Sequence, residues 1–141
     1  GAGLVYMVLE RCDMGLLEAL RSTPELTEAA LQPVFKDMLS ALVACHAAGV
    51  VHRDVKCDNF LVALPEGGGR AVKLCDFGLA TRLKRRDSEK LSGICGTPPY
   101  MSPEMLEGRP YGTKVDVWSL GVTAYVLLYG RWPYEPAVRS N

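Results

Sequence analysis

The chain has 141 residues, of which 48% are hydrophobic and 23% charged, and its 16 basic and 16 acidic residues cancel to a formal net charge of zero. That balance argues against a nucleic-acid or membrane-surface binder, which would carry a basic face, and no stretch approaches the roughly 20 apolar residues that span a bilayer. The cysteines Cys12, Cys45, Cys57, Cys75 and Cys95 are scattered without a CxxC pair, which speaks against a disulfide framework or zinc site and for reduced thiols in the cytosol or nucleus.

Leu4-Val5-Tyr6-Met7-Val8-Leu9 is a β-rich apolar run and reads as a strand. Leu16 to Leu20 reads as a short helix. Thr27 is a helix-start signal, with Glu28 in the first turn where the helix dipole favours an acid. Val34, Met38, Leu39, Ala41, Leu42 and Cys45 keep helical spacing from Val34 to Ala47, with Pro33 beginning the regular part or kinking what precedes it. Gly49 should stop this helix, and His46, one turn earlier, should serve the helix end as a cation or hydrogen-bond donor.

The charged stretch His52-Arg53-Asp54-Val55-Lys56-Cys57-Asp58-Asn59 follows, between the apolar runs Val50-Val51 and Phe60-Leu61-Val62. A charged loop pinned between two buried strands presents its side chains already positioned, and a misplacement of about 1 Å can cost a catalyst roughly a hundredfold. Phe60 to Ala63 and Ala71 to Leu74 read as short strands joined by the turn Pro65 to Arg70. The glycines Gly67, Gly68 and Gly69 do not make a phosphate loop, because no helix with Lys and Ser/Thr follows them. Asp76 to Glu104 is polar, contains Gly93 and Gly96, lacks periodicity, and is expected to be mobile. A helix from about Lys114 to Tyr129 is apolar nearly all round, which implies burial, with Trp118 in the core.

His52 to Asn59 resembles the catalytic loop of the eukaryotic protein kinases, HRD-L-x-x-x-N, with Val55 in place of the usual Leu. Asp76-Phe77-Gly78 looks like the metal-binding DFG, Ser102-Pro103-Glu104 like a variant of APE, and Asp116-Val117-Trp118-Ser119-Leu120-Gly121 like the opening of the large helix of the kinase C-lobe. One such tripeptide would be weak evidence, but four motifs in this order make the resemblance specific. Taken singly, the Asp would be a turn former, the Lys a solvated cation and the Asn a turn cap.

The resemblance implies an α+β, protein-kinase-like fold: a mostly helical C-lobe with short β hairpins and almost no N-lobe. Residues 1–15 would be the last N-lobe strand and hinge, and 16–141 a C-lobe truncated before its final helices. It implies ATP and Mg²⁺ as cofactors, a protein substrate and an upstream activating kinase. Asp54 would be the base that orients the acceptor hydroxyl, Lys56 a charge on the transferred phosphate, and Asn59 and Asp76 the Mg²⁺ ligands, hard oxygens suited to a hard cation. Leu9 would control the back of the nucleotide pocket, Glu10 and Cys12 would offer backbone groups to adenine, and Leu61 would form its floor. An acid that reaches the ribose in many kinases is replaced by Leu16, with Asp13 as a substitute. His52 and Phe77 would stack, and Asp116 would accept hydrogen bonds from catalytic-loop N–H groups. Thr97 would bond toward Asp54 and Lys56; with Lys56 and the Gly-Thr-Pro pattern it resembles serine/threonine rather than tyrosine kinases. Arg53 would dock a phosphate placed on Ser88 or Ser92. Asp58 would pair with a basic substrate residue or stay solvated. Cys75 would be a small core residue within reach of electrophiles.

Asn59-Phe60-Leu61 and Asp116 to Gly121 are similar to the calcium/calmodulin-dependent and calcium-dependent kinases, and Asp76 to Thr81 also to the polo-like kinases. The glycine-rich loop, the strand Lys and the helix Glu of a kinase N-lobe do not occur, so the chain reads as a kinase fragment that would be inactive alone. The alternative is a truncated, non-catalytic kinase-like binding or scaffold protein.

Overall fold

The computed structural model describes residues 4–83 and 90–134. The first helical elements are α1 (Leu16–Arg21) and the long α2 (Glu28–Ala47). Thr27 caps α2 by accepting a hydrogen bond from the Ala30 N–H at 3.2 Å. The helix begins at Glu28 rather than at Val34, so Pro33 lies inside it. The missing donor of Pro33 would have faced Ala29, and both residues are exposed, so water can serve the freed carbonyl. Leu31, Val34, Met38 and Leu42 form the buried stripe of α2. Gly49 ends it as expected, with φ at 74°, a value that a side chain would disfavour.

Two small antiparallel sheets frame the charged loop. β1 (Met14–Gly15), β3 (Phe60–Ala63) and β4 (Ala71–Leu74) form one, in the order β1-β3-β4, with Phe60 opposite Leu74 and Ala63 opposite Ala71. β2 (Val50–Val51) pairs with β5 (Thr81–Arg82) in the other, Val50 opposite Arg82 and Val51 opposite Thr81. The chain then makes the short helix α3 (Pro103–Leu106), capped by Ser102, and the long α4 (Lys114–Tyr129), closed by Gly130.

Three sequence expectations are corrected. Leu4 to Leu9 forms no strand and is 75–95% exposed, because no described residue offers it a ladder partner. The segment after Asp76 is tied down in its described parts, by β5, by the Leu83 N–H on the Gly49 carbonyl and by a bridge between Leu91 and Tyr111. α4 is buried on one side only, through Val115, Asp116, Ser119, Leu120, Val122 and Thr123, while Val117, Trp118, Leu128 and Tyr129 are exposed. Its apolar composition exceeds what the described residues cover. Among them, no helix is long and apolar enough to cross a membrane.

The core has two parts. Leu16, Leu20, Val34, Met38, Phe60, Val62 and Val55 belong to one, and Val51, Leu83, Met101, Met105, Tyr111 and Val115 to the other. Val51 and Val55 are both fully buried, one in each cluster, so the residues between them hang from two fixed points.

Candidate active site

The anchor of the charged loop is Asp116, fully buried in the first turn of α4. Its Oδ1 accepts from the Arg53 N–H at 2.8 Å and its Oδ2 from the His52 N–H at 2.9 Å. This is the pairing expected for Asp116, since a buried carboxylate is costly unless donors surround it. Arg53 is held at φ 69°, a left-handed conformation that a non-glycine residue adopts only under such constraint. His52 is also fully buried. Its Nδ1 accepts from the Asp54 N–H at 3.3 Å, so Nε2 carries the proton and donates to the Cys75 carbonyl at 3.0 Å. The imidazole meets the Phe77 ring edge-on, with centroids 4.9 Å apart.

Asp54 stands at the centre of a closed cluster. Its Oδ2 lies 2.8 Å from Lys56 Nζ and accepts from Asn59 Nδ2 at 3.2 Å; its Oδ1 accepts from the Thr97 hydroxyl at 2.7 Å. Lys56 also donates to Thr97 Oγ1 at 2.8 Å, and Asn59 Nδ2 to the Asp54 carbonyl at 2.8 Å. Burial alone would push the Asp54 carboxyl up. The hydrogen bonds from Lys56, Thr97 and Asn59, with the Lys56 charge, outweigh it and hold the group below the ordinary carboxylate range. Thr97 arrives from 43 residues away because Gly96 lets its segment lie against the loop. A Cβ on Gly96 would sit 2.4 Å from the Arg53 carbonyl oxygen, and φ there is 101°. Gly96→Ala is therefore expected to push the Thr97 segment off the loop and to destabilise the fold by about 1–3 kcal/mol. A shift of the urea midpoint together with lost activity would check it, and a neutral substitution would contradict it. Burial pushes the Cys57 thiol up to about 11. Ser119 Oγ donates to the Tyr100 carbonyl at 2.7 Å, which fixes this turn to α4.

A second feature is a cleft of about 710 Å³ whose lining includes Leu9, Glu10, Cys12, Leu61, Cys75 and Asp76. It brings together five of the residues expected to hold nucleotide and metal. Lys56 and Asn59 are not part of that lining and belong to the Asp54 cluster. Asp13 is committed elsewhere: its Oδ2 accepts from the Leu64 N–H at 2.7 Å, which argues against a ribose role. Desolvation and the neighbouring Asp76 charge raise the Cys75 thiol, which suppresses the thiolate an electrophile would need. Asp76, rather than a glycine, takes the left-handed conformation, with φ at 59°. Gly78 is needed for a different reason: its N–H donates to Asp76 Oδ1 at 3.2 Å, and a Cβ there would approach that oxygen to 3.1 Å.

The Arg53 side chain reaches three neutral oxygens: the Leu79 carbonyl at 2.7 Å, Thr81 Oγ1 at 2.8 Å and the Tyr111 hydroxyl at 3.4 Å. Ser92 is exposed, one residue beyond the Leu91 bridge to Tyr111, and Ser88 lies outside the described residues. Sequence reasoning missed Gly96, Thr81 and Tyr111, which act through contacts between distant residues that no local pattern announces. It read His46 as serving a helix end, whereas its Nε2 lies 2.8 Å from Asp116 Oδ2.

The protein kinase domain model matches residues 3–141. The chain belongs to the protein kinase family. It is 43% identical over 135 residues to mouse sperm motility kinase 2B, a match covering 94% of this chain and 27% of that protein. It is 43% identical over 137 residues to the serine/threonine-protein kinase zyg-8 of Caenorhabditis elegans, covering 96% of this chain and 17% of that protein. It is 40% identical over 138 residues to human testis-specific serine/threonine-protein kinase 1, covering 94% of this chain and 36% of that protein. The chain thus spans well under half the length of these relatives.

Protein kinases generally use ATP with Mg²⁺, and the residues fit such a cation. Asn59 turns its nitrogen to Asp54, which leaves Oδ1 as the atom without a hydrogen bond among the described residues. No buried side-chain oxygen or nitrogen among the described residues lacks a partner, so that oxygen is not sealed from solvent. The backbone bond from Cys75 N–H to the Asn59 carbonyl, at 2.9 Å, brings the exposed Asp76 alongside. Among the described residues no three His, Cys, Asp or Glu side chains converge into a metal cage. A pair of oxygen ligands that leaves other positions to phosphate and water is the pattern suited to Mg²⁺.

Proposed function

We propose that this kinase chain carries the phosphate-accepting side of a serine/threonine kinase site, which passes the γ-phosphate of ATP to Ser or Thr hydroxyls of a protein substrate. The observation that carries the reading is the closed cluster of Asp54, Lys56 and Thr97, in which each side chain lies within 2.8 Å of the other two. Asp54, held ionised, is a weak base: it orients the substrate hydroxyl and takes its proton late. That suits a loose transition state that asks for positioning and charge rather than covalent help. Lys56 is the cation that can turn from Asp54 toward a transferring phosphate, and Thr97 keeps its place when it does. Leu9, Glu10, Cys12 and Leu61 would hold the adenine end, and Asn59 and Asp76 would hold Mg²⁺, which supplies positive charge to the phosphate oxygens.

Serine/threonine specificity rests on Lys56, Thr97 and the similarity to two serine/threonine-protein kinases. A nearer likeness to the calcium/calmodulin-dependent kinases rests on Asn59-Phe60-Leu61 and Asp116 to Gly121. The test is radiolabel transfer from γ-labelled ATP by the full-length protein onto arrayed peptides with Ser, Thr or Tyr as sole acceptor. Label on Ser and Thr peptides that requires Mg²⁺ is the expected result. Label on Tyr alone, or none, would overturn the proposal.

A further inference from the structure

Resting on the proposed ATP-dependent reading, we infer that Asp13 is a positioning residue for the nucleotide. It ends the β1–β3 ladder, so that the backbone of Glu10 and Cys12 keeps its polar groups for an adenine edge. β1 pairs Met14 with Val62 and Gly15 with Leu61, and the same register carried toward the N-terminus would set Cys12 opposite Leu64. The chain leaves that register at Asp13. Its N–H donates to the Val62 carbonyl at 2.8 Å, one residue out of step, and its Oδ2 accepts from the Leu64 N–H at 2.7 Å. A side-chain carboxylate thus takes the Leu64 donor in place of a backbone carbonyl of the incoming strand.

Among the described residues no backbone-to-backbone hydrogen bond uses Glu10 or Cys12, the two residues expected to meet adenine. Both line the cleft together with Leu61, its expected floor. The segment is fastened at two edges of the sheet. Asp13 holds it to β3, and Glu10 lies 3.4 Å from Lys73 on β4, the residue opposite Leu61. The Glu10–Lys73 pair is well exposed and contributes little by itself, so the hold falls to Asp13, whose bond from Leu64 is strengthened by the carboxylate charge. Without that carboxylate the Leu64 N–H turns to water or to a backbone carbonyl of the incoming chain. Either outcome lets the Glu10–Cys12 peptides leave their place beside Leu61, and the second also consumes a polar group that adenine would use. The cluster of Asp54, Lys56 and Thr97 shares none of these atoms and should not change.

The experiment compares Asp13→Ala, Asp13→Asn and a stability control outside the cleft lining, Thr27→Ala, which removes the cap of α2, in the full-length protein. Asn can keep an oxygen at the Oδ2 position and accept from Leu64. Asp13→Ala is expected to raise KM for ATP about 3- to 10-fold, the worth of one hydrogen bond, with kcat and the KM for peptide within about twofold. Asp13→Asn should restore most of the loss. Thr27→Ala should lower the melting temperature and leave KM for ATP unchanged. The Asp13→Ala loss should be the same with 2′,3′-dideoxy-ATP, because Asp13 holds the chain and not the ribose. Calorimetric binding of ATP with Mg²⁺ gives a readout that needs no phosphate transfer, and Kd should move as KM does. If the unaltered protein binds ATP but transfers no phosphate, the failure belongs to the functional reading and the binding result alone decides. Unchanged ATP affinity in Asp13→Ala, a loss that Asn does not repair, a loss confined to ATP and absent with the dideoxy analogue, or an unaltered protein that binds no ATP would overturn the inference.

Discussion

Asp54→Asn in the full-length protein should cut kcat by about 10²- to 10⁴-fold, the usual contribution of a positioned base, while leaving the fold almost unchanged. The amide has the volume of the carboxylate, and its neighbours tolerate it in one orientation. Its oxygen can keep the Oδ2 position, where Lys56 and Asn59 donate. Its nitrogen then faces Thr97, whose hydroxyl can turn to accept instead of donating. The charge and the proton acceptor are lost, and KM for ATP, which depends on the separate cleft, should change little. Steady-state kinetics together with a melting curve separate the two effects. A variant that retains more than about a tenth of kcat would remove Asp54 from the reaction.

The same site fixes the sign of a pH effect. Its hydrogen-bonded carboxyl titrates below the ordinary value of about 3.9. A group depressed on folding stabilises the native state above its unfolded value, and that stabilisation fades as pH falls through the folded value. The wild-type protein should therefore gain stability relative to Asp54→Asn above about pH 4 and lose the difference below it.

The local motifs were legible in the sequence because their chemistry is contiguous: His52 to Asn59 announces a charged loop between two apolar runs, and Thr27 and Gly49 bracket most of a helix. The turn between Ala63 and Ala71 followed from its Pro and Gly content alone. What was not legible is what depends on partners. Leu4 to Leu9 has the composition of a strand, but a strand is a property of a pair, and no described residue pairs with it. β5 escaped notice because Thr81-Arg82 is too short to show alternation and exists only through Val50 and Val51. Trp118 was read as core because α4 is apolar all round, yet composition cannot say which side is covered. Gly96 looked like loop flexibility, whereas the structure gives it the opposite role, a close approach that locks Thr97 to Asp54. The candidate site was thus readable as a set of residue types, and its geometry was not.

Asp116→Ala should be the most damaging single change to the fold. It removes the acceptor of three hydrogen bonds at once, from His46, His52 and Arg53. Each buried donor left unpaired costs about 1–3 kcal/mol, and breaking a buried, hydrogen-bonded charge site typically costs about 3–5 kcal/mol in all. Part of the loss is returned, because the left-handed Arg53 peptide, strained by about 1–3 kcal/mol, is free to relax once nothing holds it. That relaxation is itself harmful to function, since Asp54 follows directly. Asp116→Asn offers a graded comparison. Oδ2 takes two donors and Oδ1 one, so the amide should keep its oxygen at the Oδ2 position and turn its nitrogen toward the Arg53 N–H. One bond is then replaced by a repulsive pair of donors, and the expected cost is about 1–3 kcal/mol. Urea unfolding of the three proteins should rank them wild type, Asn, Ala, with the denaturant slope unchanged. An Ala variant within about 1 kcal/mol of wild type would mean that water replaces the carboxylate, and that the loop is held by Val51 and Val55 in the two cores rather than by its buried anion.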